Sequence, residues 1–332
     1  MAAFLCAGVL AARADATKPP KPEELRHRCS PMLEPLPARM PGAEQDTPAQ
    51  VNLGRTLFFD VRLSANDSQS CNSCHAVDKG RGGADNEATS AGAFGKRGGR
   101  NSPTVLNAGF HATQFWDGRA ADLVAQAKGP ILNPIEMAMP SERAVVEKLS
   151  GIPDYQKSFA QAFPGEASPL TYDNLARAIA AFERTLVTRD RFDEFLKGEN
   201  RALSAEELKG LDLFVSIGCT GCHNGPAVGG SSFQKRGLIH SVPLQDVGRY
   251  GVTKEEDDKF KFKVPSLRNI SLTAPYFHDG SKGQLDEAVK EMAWIQLDRK
   301  LTDDEVKSLT AFLSALSDKE RASSATGPRA SR

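Results

Sequence analysis

Two short runs, Cys71-Asn72-Ser73-Cys74-His75 and Cys219-Thr220-Gly221-Cys222-His223, each set two thiols three positions apart with a histidine directly after. Thiols so spaced lie on one turn and can form thioethers with the two vinyl groups of a single porphyrin, while the adjacent imidazole points at the iron. A thioredoxin-like redox pair needs a βαβ setting, which neither run has. A four-cysteine zinc site needs its halves roughly 12 to 20 residues apart, whereas 148 residues separate Cys71 from Cys219. Two disulfides would leave both histidines accidental. The runs therefore predict two covalently bound haems c, held by Cys71, Cys74 and His75 and by Cys219, Cys222 and His223.

The chain also contains itself twice. Gly54-Arg55-Thr56-Leu57-Phe58 precedes the first run, and Gly210-Leu211-Asp212-Leu213-Phe214 precedes the second. Downstream, Pro103-Thr104-Val105-Leu106-Asn107 matches Pro265-Ser266-Leu267-Arg268-Asn269, and Phe115-Trp116-Asp117-Gly118 matches Phe277-His278-Asp279-Gly280, both at an offset of 162. Two matches at one offset indicate duplicated haem domains. Carried onward, the offset aligns the segment from Leu123 with that from Leu285 and sets Pro130 opposite Met292. Methionine is a sixth ligand of haem c that raises its potential, and proline has no donor. The second haem is expected to be His223/Met292-ligated and suited to storing an electron, the first to keep an open iron face.

Helical periodicity runs from Thr171 to Val187 through Leu175, Ile179, Phe182 and Leu186. Capping boxes at Ser204/Glu207 and Thr302/Glu305 open two more helices, to about Ile217 and Leu316. Shorter helices are expected at 52–59, 120–128, 142–149 and 284–292. Strand patterns are scarce. The expected fold is mainly α: two cytochrome c-like haem domains related by internal duplication, with long loops and little strand. Region 76–101 holds seven glycines and fits either a mobile loop beside the first haem or a solvated linker.

At 332 residues the chain is long enough for two domains. Residues 1–16 form an apolar leader ending in Ala14-Asp15-Ala16, a small-x-small cleavage site; its basic start is missing, as in a truncated signal peptide. An N-terminal arm follows at 17–50, then haem domains at 51–187 and 188–318, and a Ser/Ala/Arg-rich tail at 319–332 expected to be disordered. Cys29 is left as a free thiol. Lys+Arg and Asp+Glu both number 42, so nothing draws the chain toward nucleic acid or an anionic membrane, and no apolar stretch is long enough to span one.

Further stretches carry a resemblance. Leu57-Phe58-Phe59-Asp60 with Arg62-Leu63-Ser64, Arg100 to Asn107, Gln114-Phe115-Trp116-Asp117-Gly118-Arg119, Gln126-Ala127-Lys128-Gly129-Pro130, Glu136-Met137 and Leu272 to His278 make the chain similar to bacterial di-haem cytochrome c peroxidases over nearly all of its mature length. The resemblance implies reduction of hydrogen peroxide in the periplasm, with electrons from a small cytochrome c or cupredoxin, by a homodimer. It implies that the His75 haem is peroxidatic, with Glu136 as acid/base and Gln126 beside it, and that Trp116 lies between the haems. It also implies a calcium ion at the domain interface near Asn101 and the carbonyls of Thr273 and Pro275, and it agrees on Met292 as axial ligand. Many such proteins carry a histidine that caps the peroxidatic iron at rest. The matching position here is Ala93, and no histidine lies between His75 and His111, so the first iron is expected to be open even when oxidised. His111 is the residue that could replace the missing cap; otherwise His111, His240 and His278 fit surface or supporting positions. Rival readings are a protein-oxidising enzyme of the MauG kind, in which tyrosine replaces the axial methionine, and a plain electron-transfer cytochrome.

Overall fold

The computed structural model describes residues 19–78 and 80–325; the leader expected at 1–16 lies outside them. The core of the first half forms where helix Pro48–Phe59 crosses helix Tyr172–Glu183. The second half repeats this with Ala205–Ser216 crossing Asp303–Ala315. Both crossings are close because each first helix carries glycine at the contact. A Cβ on Gly54 would overlap the Ala178 carbonyl oxygen, and one on Gly210 would overlap that of Ser308. All four helices open on capped N-termini: Thr47 with Gln50, Ser204 with Glu207 and Thr302 with Glu305 close capping boxes, and Thr171 accepts from the Asn174 amide.

Each crossing anchors its own apolar cluster. Leu57, Phe58, Ile179 and Phe182 belong to one, and Leu211, Phe214, Leu309 and Phe312 to the other. The N-terminal arm joins the second half: Leu25 and Cys29 of helix Pro22–Cys29, with Leu33, are buried against the cluster that holds Phe192 and Phe312. Cys29 is a free thiol, and burial pushes its pKa upward.

The duplication shows in backbone detail that apolar patterning does not dictate. Asn107 and Asn269 both take left-handed conformations, with φ of +61° and +65°. Each is pinned alike: the Asn107 amide donates to Leu186 O and the Asn269 amide to Leu316 O, while their side-chain oxygens accept from the Thr188 and Asp318 amides. Among the described residues, strand is limited to one antiparallel pair, Phe233–Lys235 with Lys261–Lys263.

Observed helices extend or add to those expected. Leu123–Leu132 continues past Pro130, and Leu285–Leu297 past Met292. Pro153–Ala162 and Arg191–Leu196 were not anticipated. The tail expected at 319–332 needs correction in part: 326–332 lie outside the described residues, but Lys319–Ala325 is helical. It is fastened by the Arg321 guanidinium, which donates to the carbonyls of Val77, Asp78 and Arg81, and by Asp318, which accepts from the Arg321 amide. The glycine-rich region is no solvated linker at its packed points, since a Cβ on Gly82 would crowd Leu272 and Thr273, and one on Gly92 would overlap Ile135 O.

Gly54→Ala should destabilise the holoprotein by about 3 kcal/mol, the upper end for overpacking, because the obstacle is backbone. Thermal unfolding checks this, and the first haem should be lost before the second.

Candidate functional site: two haem cavities sharing a wall

Each half encloses one large cavity beside its Cys-Cys-His run. Cys71, Cys74 and His75 line the first; Cys219, Cys222, His223 and Met292 line the second. Both histidines are prepared as ligands in the same way. His75 Nδ1 lies 3.0 Å from Pro103 O, and His223 Nδ1 lies 3.4 Å from Val228 O, with Pro265 O also bonded to that ring. A proximal histidine that donates Nδ1–H to a carbonyl leaves Nε2 for metal and fixes the ring. Burial lowers the pKa of both, His223 to about 4, so both imidazoles are neutral, as ligands must be. The donor sets and the apolar linings fit two haems c.

The walls match position by position. Helix Leu123–Leu132 gives Gln126, Ala127 and Pro130 to the first cavity, where Leu285–Leu297 gives Ala288, Val289 and Met292 to the second. Met292 and Pro130 therefore occupy equivalent wall positions, as the repeat predicted. Glu136 also lines the first cavity. The Asn133 amide donates to its carboxyl at 2.7 Å. Burial raises the Glu136 pKa, and nearby Arg119 and the Asn133 bond pull it back. A carboxyl so balanced is suited to taking up and releasing a proton.

The glycine-rich loop closes one side of the first cavity through Ser90, Ala91 and Gly92. Ala93 itself faces elsewhere: its amide donates to Glu136 O at 2.7 Å, and its carbonyl accepts from Asn66 and Ser68.

The two cavities share Trp116 and the segment from Asn101 to Thr104. Trp116 Nε1 donates to Asn101 O at 2.9 Å, and Trp116 O accepts from the Lys263 amide at 2.7 Å. Its repeat partner is His278, and the two rings meet edge to face at 6.4 Å. His278 is not a surface residue: it is buried and stacks on Phe262 at 4.0 Å. His111 is likewise interior. It lines the first cavity, with Lys263 Nζ 3.2 Å from its Nδ1 and no partner on Nε2. Lys263 lines both cavities, and burial lowers its pKa to about 8. Lone charged or polar residues give no sequence signal for such positions, so Lys263 and the Asn133–Glu136 bond were missed.

Asn101, Thr273 and Pro275 all line the second cavity near this shared wall. The Asn101 amide nitrogen donates to Glu87 O. Among the described residues no donor is bonded to Asn101 Oδ1, Thr273 O or Pro275 O, and such neutral oxygens are hard-cation donors. No helix among the described residues is long and apolar enough to cross a membrane.

Two cavities, each lined by a Cys-Cys-His run and one of them also by a methionine, define a di-haem c-type protein. The model of the family "Di-haem cytochrome c peroxidase" matches residues 48–201. The cytochrome c551 peroxidase of Pseudomonas aeruginosa is 45% identical over 92% of this chain and 90% of its own length. That of Nitrosomonas europaea is 46% identical over 86% of this chain and 83% of its own. A crystal structure of a MauG-like protein associated with microbial copper homeostasis superposes with a TM-score of 0.76 at 29% identity, covering 86% of this chain and 95% of that one. The chain belongs to the di-haem cytochrome c peroxidase family.

Removing the Asn133 donor should raise the Glu136 pKa, since that bond favours the ionised form. In Asn133→Ala the acid limb of kcat/KM should therefore move to higher pH; an unmoved limb would mean that Glu136 does not set it.

Proposed function

We propose that this protein reduces hydrogen peroxide to water at the His75 centre, with electrons entering at the His223/Met292 centre from a small cytochrome c or cupredoxin. The observation that carries the reading is the matched-wall asymmetry: Met292 on the second cavity, Pro130 at the equivalent place on the first, with Gln126 and Glu136 facing the same space. Bound haem supplies the redox-active iron that exchanges electrons with substrate and donor. The overall reaction joins one peroxide, two electrons and two protons to give two waters. Glu136 accepts the proton from one peroxide oxygen and returns it to the departing oxygen. The Gln126 amide hydrogen-bonds the peroxide and the charge that develops on it. Trp116, lining both cavities, holds the electron route between them.

Asn101 Oδ1 with Thr273 O and Pro275 O would hold a calcium ion at the shared wall, steadying the route. The apolar stretch at 1–16 and the family support a periplasmic location, and the family alone supports a homodimer. Two rival readings differ in what they require. Protein oxidation of the MauG kind calls for tyrosine where Met292 stands. Plain electron transfer has no use for Glu136 and Gln126 on a cavity without a sixth ligand.

Steady-state consumption of hydrogen peroxide with reduced cytochrome c tests the reading directly. The wild type should turn over, and Glu136→Gln should lose about 10²- to 10⁴-fold in kcat/KM, the usual weight of a general acid/base. Inertness toward peroxide with both haems in place would leave electron transfer as the function.

The electron paramagnetic resonance spectrum of the fully oxidised protein should show a high-spin or water-ligated first haem, because Ala93 stands at the usual capping position. A first haem that is wholly low-spin and bis-histidine would point to His111 as a cap.

A further inference from the structure

The same matched-wall comparison exposes a second asymmetry that the peroxidase chemistry leaves unused. Gly54 packs on Ala178 and Phe182, and Gly210 packs on Ser308 and Phe312. These contacts align the two closing helices at one fixed offset, so Ile179 corresponds to Leu309 and Glu183 to Leu313. All four residues line their cavities. In the second cavity the position is an ordinary apolar lining residue; in the first it is a carboxyl. Glu183 is only 5% exposed, and its Oε2 has no hydrogen-bond partner. A lone buried carboxyl is costly, and this one lines the cavity that would hold the first haem.

We propose that Glu183 is the redox-linked acid of the first haem: it binds a proton from solvent when that haem takes up an electron, and releases the proton when the electron leaves. The electron comes from the protein's reductant, or from an electrode through mediators, and the proton from bulk water. One electron and one proton thus enter together, and charge in the cavity is conserved. The sign follows from Coulomb attraction. The oxidised haem carries one more positive charge than the reduced haem, so it favours the carboxylate, and reduction favours the neutral acid.

Glu136 and Lys263 can also exchange protons at this cavity, but each is held by a hydrogen bond, whereas Glu183 Oε2 has none. Burial raises the Glu183 pKa to about 8, and Arg184 is the cation that opposes this. Arg184, however, is held by Asp46 through bonds of 2.9 and 3.0 Å. Cys71 is the neighbouring ionisable group on the attachment run, and thioether formation removes its thiol. On the helices packed against Tyr172–Glu183, Lys128 is paired with Asp173, Arg143 with Glu147 and Lys148 with Asp67, while Arg55 and Glu142 are exposed. Across the cavity, Glu136 is bonded to Asn133 and Lys263 to His111.

The test is a potentiometric titration of the holoprotein, following each haem by its optical spectrum from pH 6 to pH 10. This range is set around the raised carboxyl. In the wild type the potential of the first haem should fall with rising pH over part of the range, approaching one proton per electron, while that of the second stays flat. Glu183→Gln keeps the shape and removes the proton, so its first haem should lose that slope. An unchanged slope in Glu183→Gln, or a flat first haem in the wild type, overturns the proposal. Should the variant lose haem, redox-difference infrared spectroscopy of the wild type decides. A protonated-carboxyl stretch that appears on reduction and shifts in deuterium oxide supports the assignment; its absence rejects it. Neither readout needs peroxide turnover. A failed peroxidase assay and a failed proton-coupling test are therefore separate results.

Discussion

Backbone-to-backbone contact at two glycines governs the rest of this structure. Gly54 lies on the Ala178 carbonyl and Gly210 on that of Ser308, bringing two helices in each half closer than side chains at those positions would allow. One wall of each cavity is thereby set. Ile179 and Glu183 follow Ala178 along one helix, and Leu309 and Leu313 follow Ser308 along the other, so what faces each haem is determined by where the glycine falls. The attachment runs then need only a short path from the end of the first helix to the cavity mouth. Close packing of this kind has low compressibility and holds geometry well, as a cofactor cradle requires.

Duplication gave two equal cradles, and substitution at matched positions made them unequal. Met292 against Pro130 gives one cavity a thioether on its wall where the other has a proline ring. Leu313 against Glu183 separates an apolar lining from an ionisable one. His278 against Trp116 places a buried imidazole on one side of the shared wall and an indole on the other. None of these exchanges disturbs the backbone: the left-handed asparagines Asn107 and Asn269, and Phe115 and Phe277 with φ of +67° and +71°, are retained in both halves. Function diverged on side chains while the turns that aim them stayed fixed.

How much of this could be read from the chain depended on the range of the signal. The attachment runs, the capping boxes at Ser204 and Thr302 and the alignment of Met292 with Pro130 are local or repeat-borne, and each appears in the structure where expected. The packing of Leu25, Cys29 and Leu33 on the second core could not be read, because nothing in the arm names a partner some 170 residues away. Helix Leu123–Leu132 was expected to stop before Pro130. It continues because a proline near a C-terminus forfeits one amide donor, and Asn133 closes the end by donating to Gly129 O and Pro130 O. Glu183 and Lys263 look like ordinary surface charges in sequence; only assembled walls reveal that both are interior.

Buried ion pairs lock the arm and the segments of the second half together, and a similar pair bridges the two halves. Arg268 is fully buried, with Asp190 at 2.6 Å and Asp193 at 2.9 Å, and donates to the carbonyls of Pro226 and Glu34. It thus ties the arm, the start of the second half and the loop after the second haem run. Its repeat partner is Leu106, so the cation arose in one copy only. A buried arginine between two aspartates offers little net stability, but breaking it costs about 3 to 5 kcal/mol, which penalises any other arrangement of these segments. Arg100 repeats the device at the shared wall, bridging Asp117 of the first half and Asp246 of the second at 2.6 Å each. Trp116 lines both cavities, and the Arg100 pairs clamp the two halves together beside it.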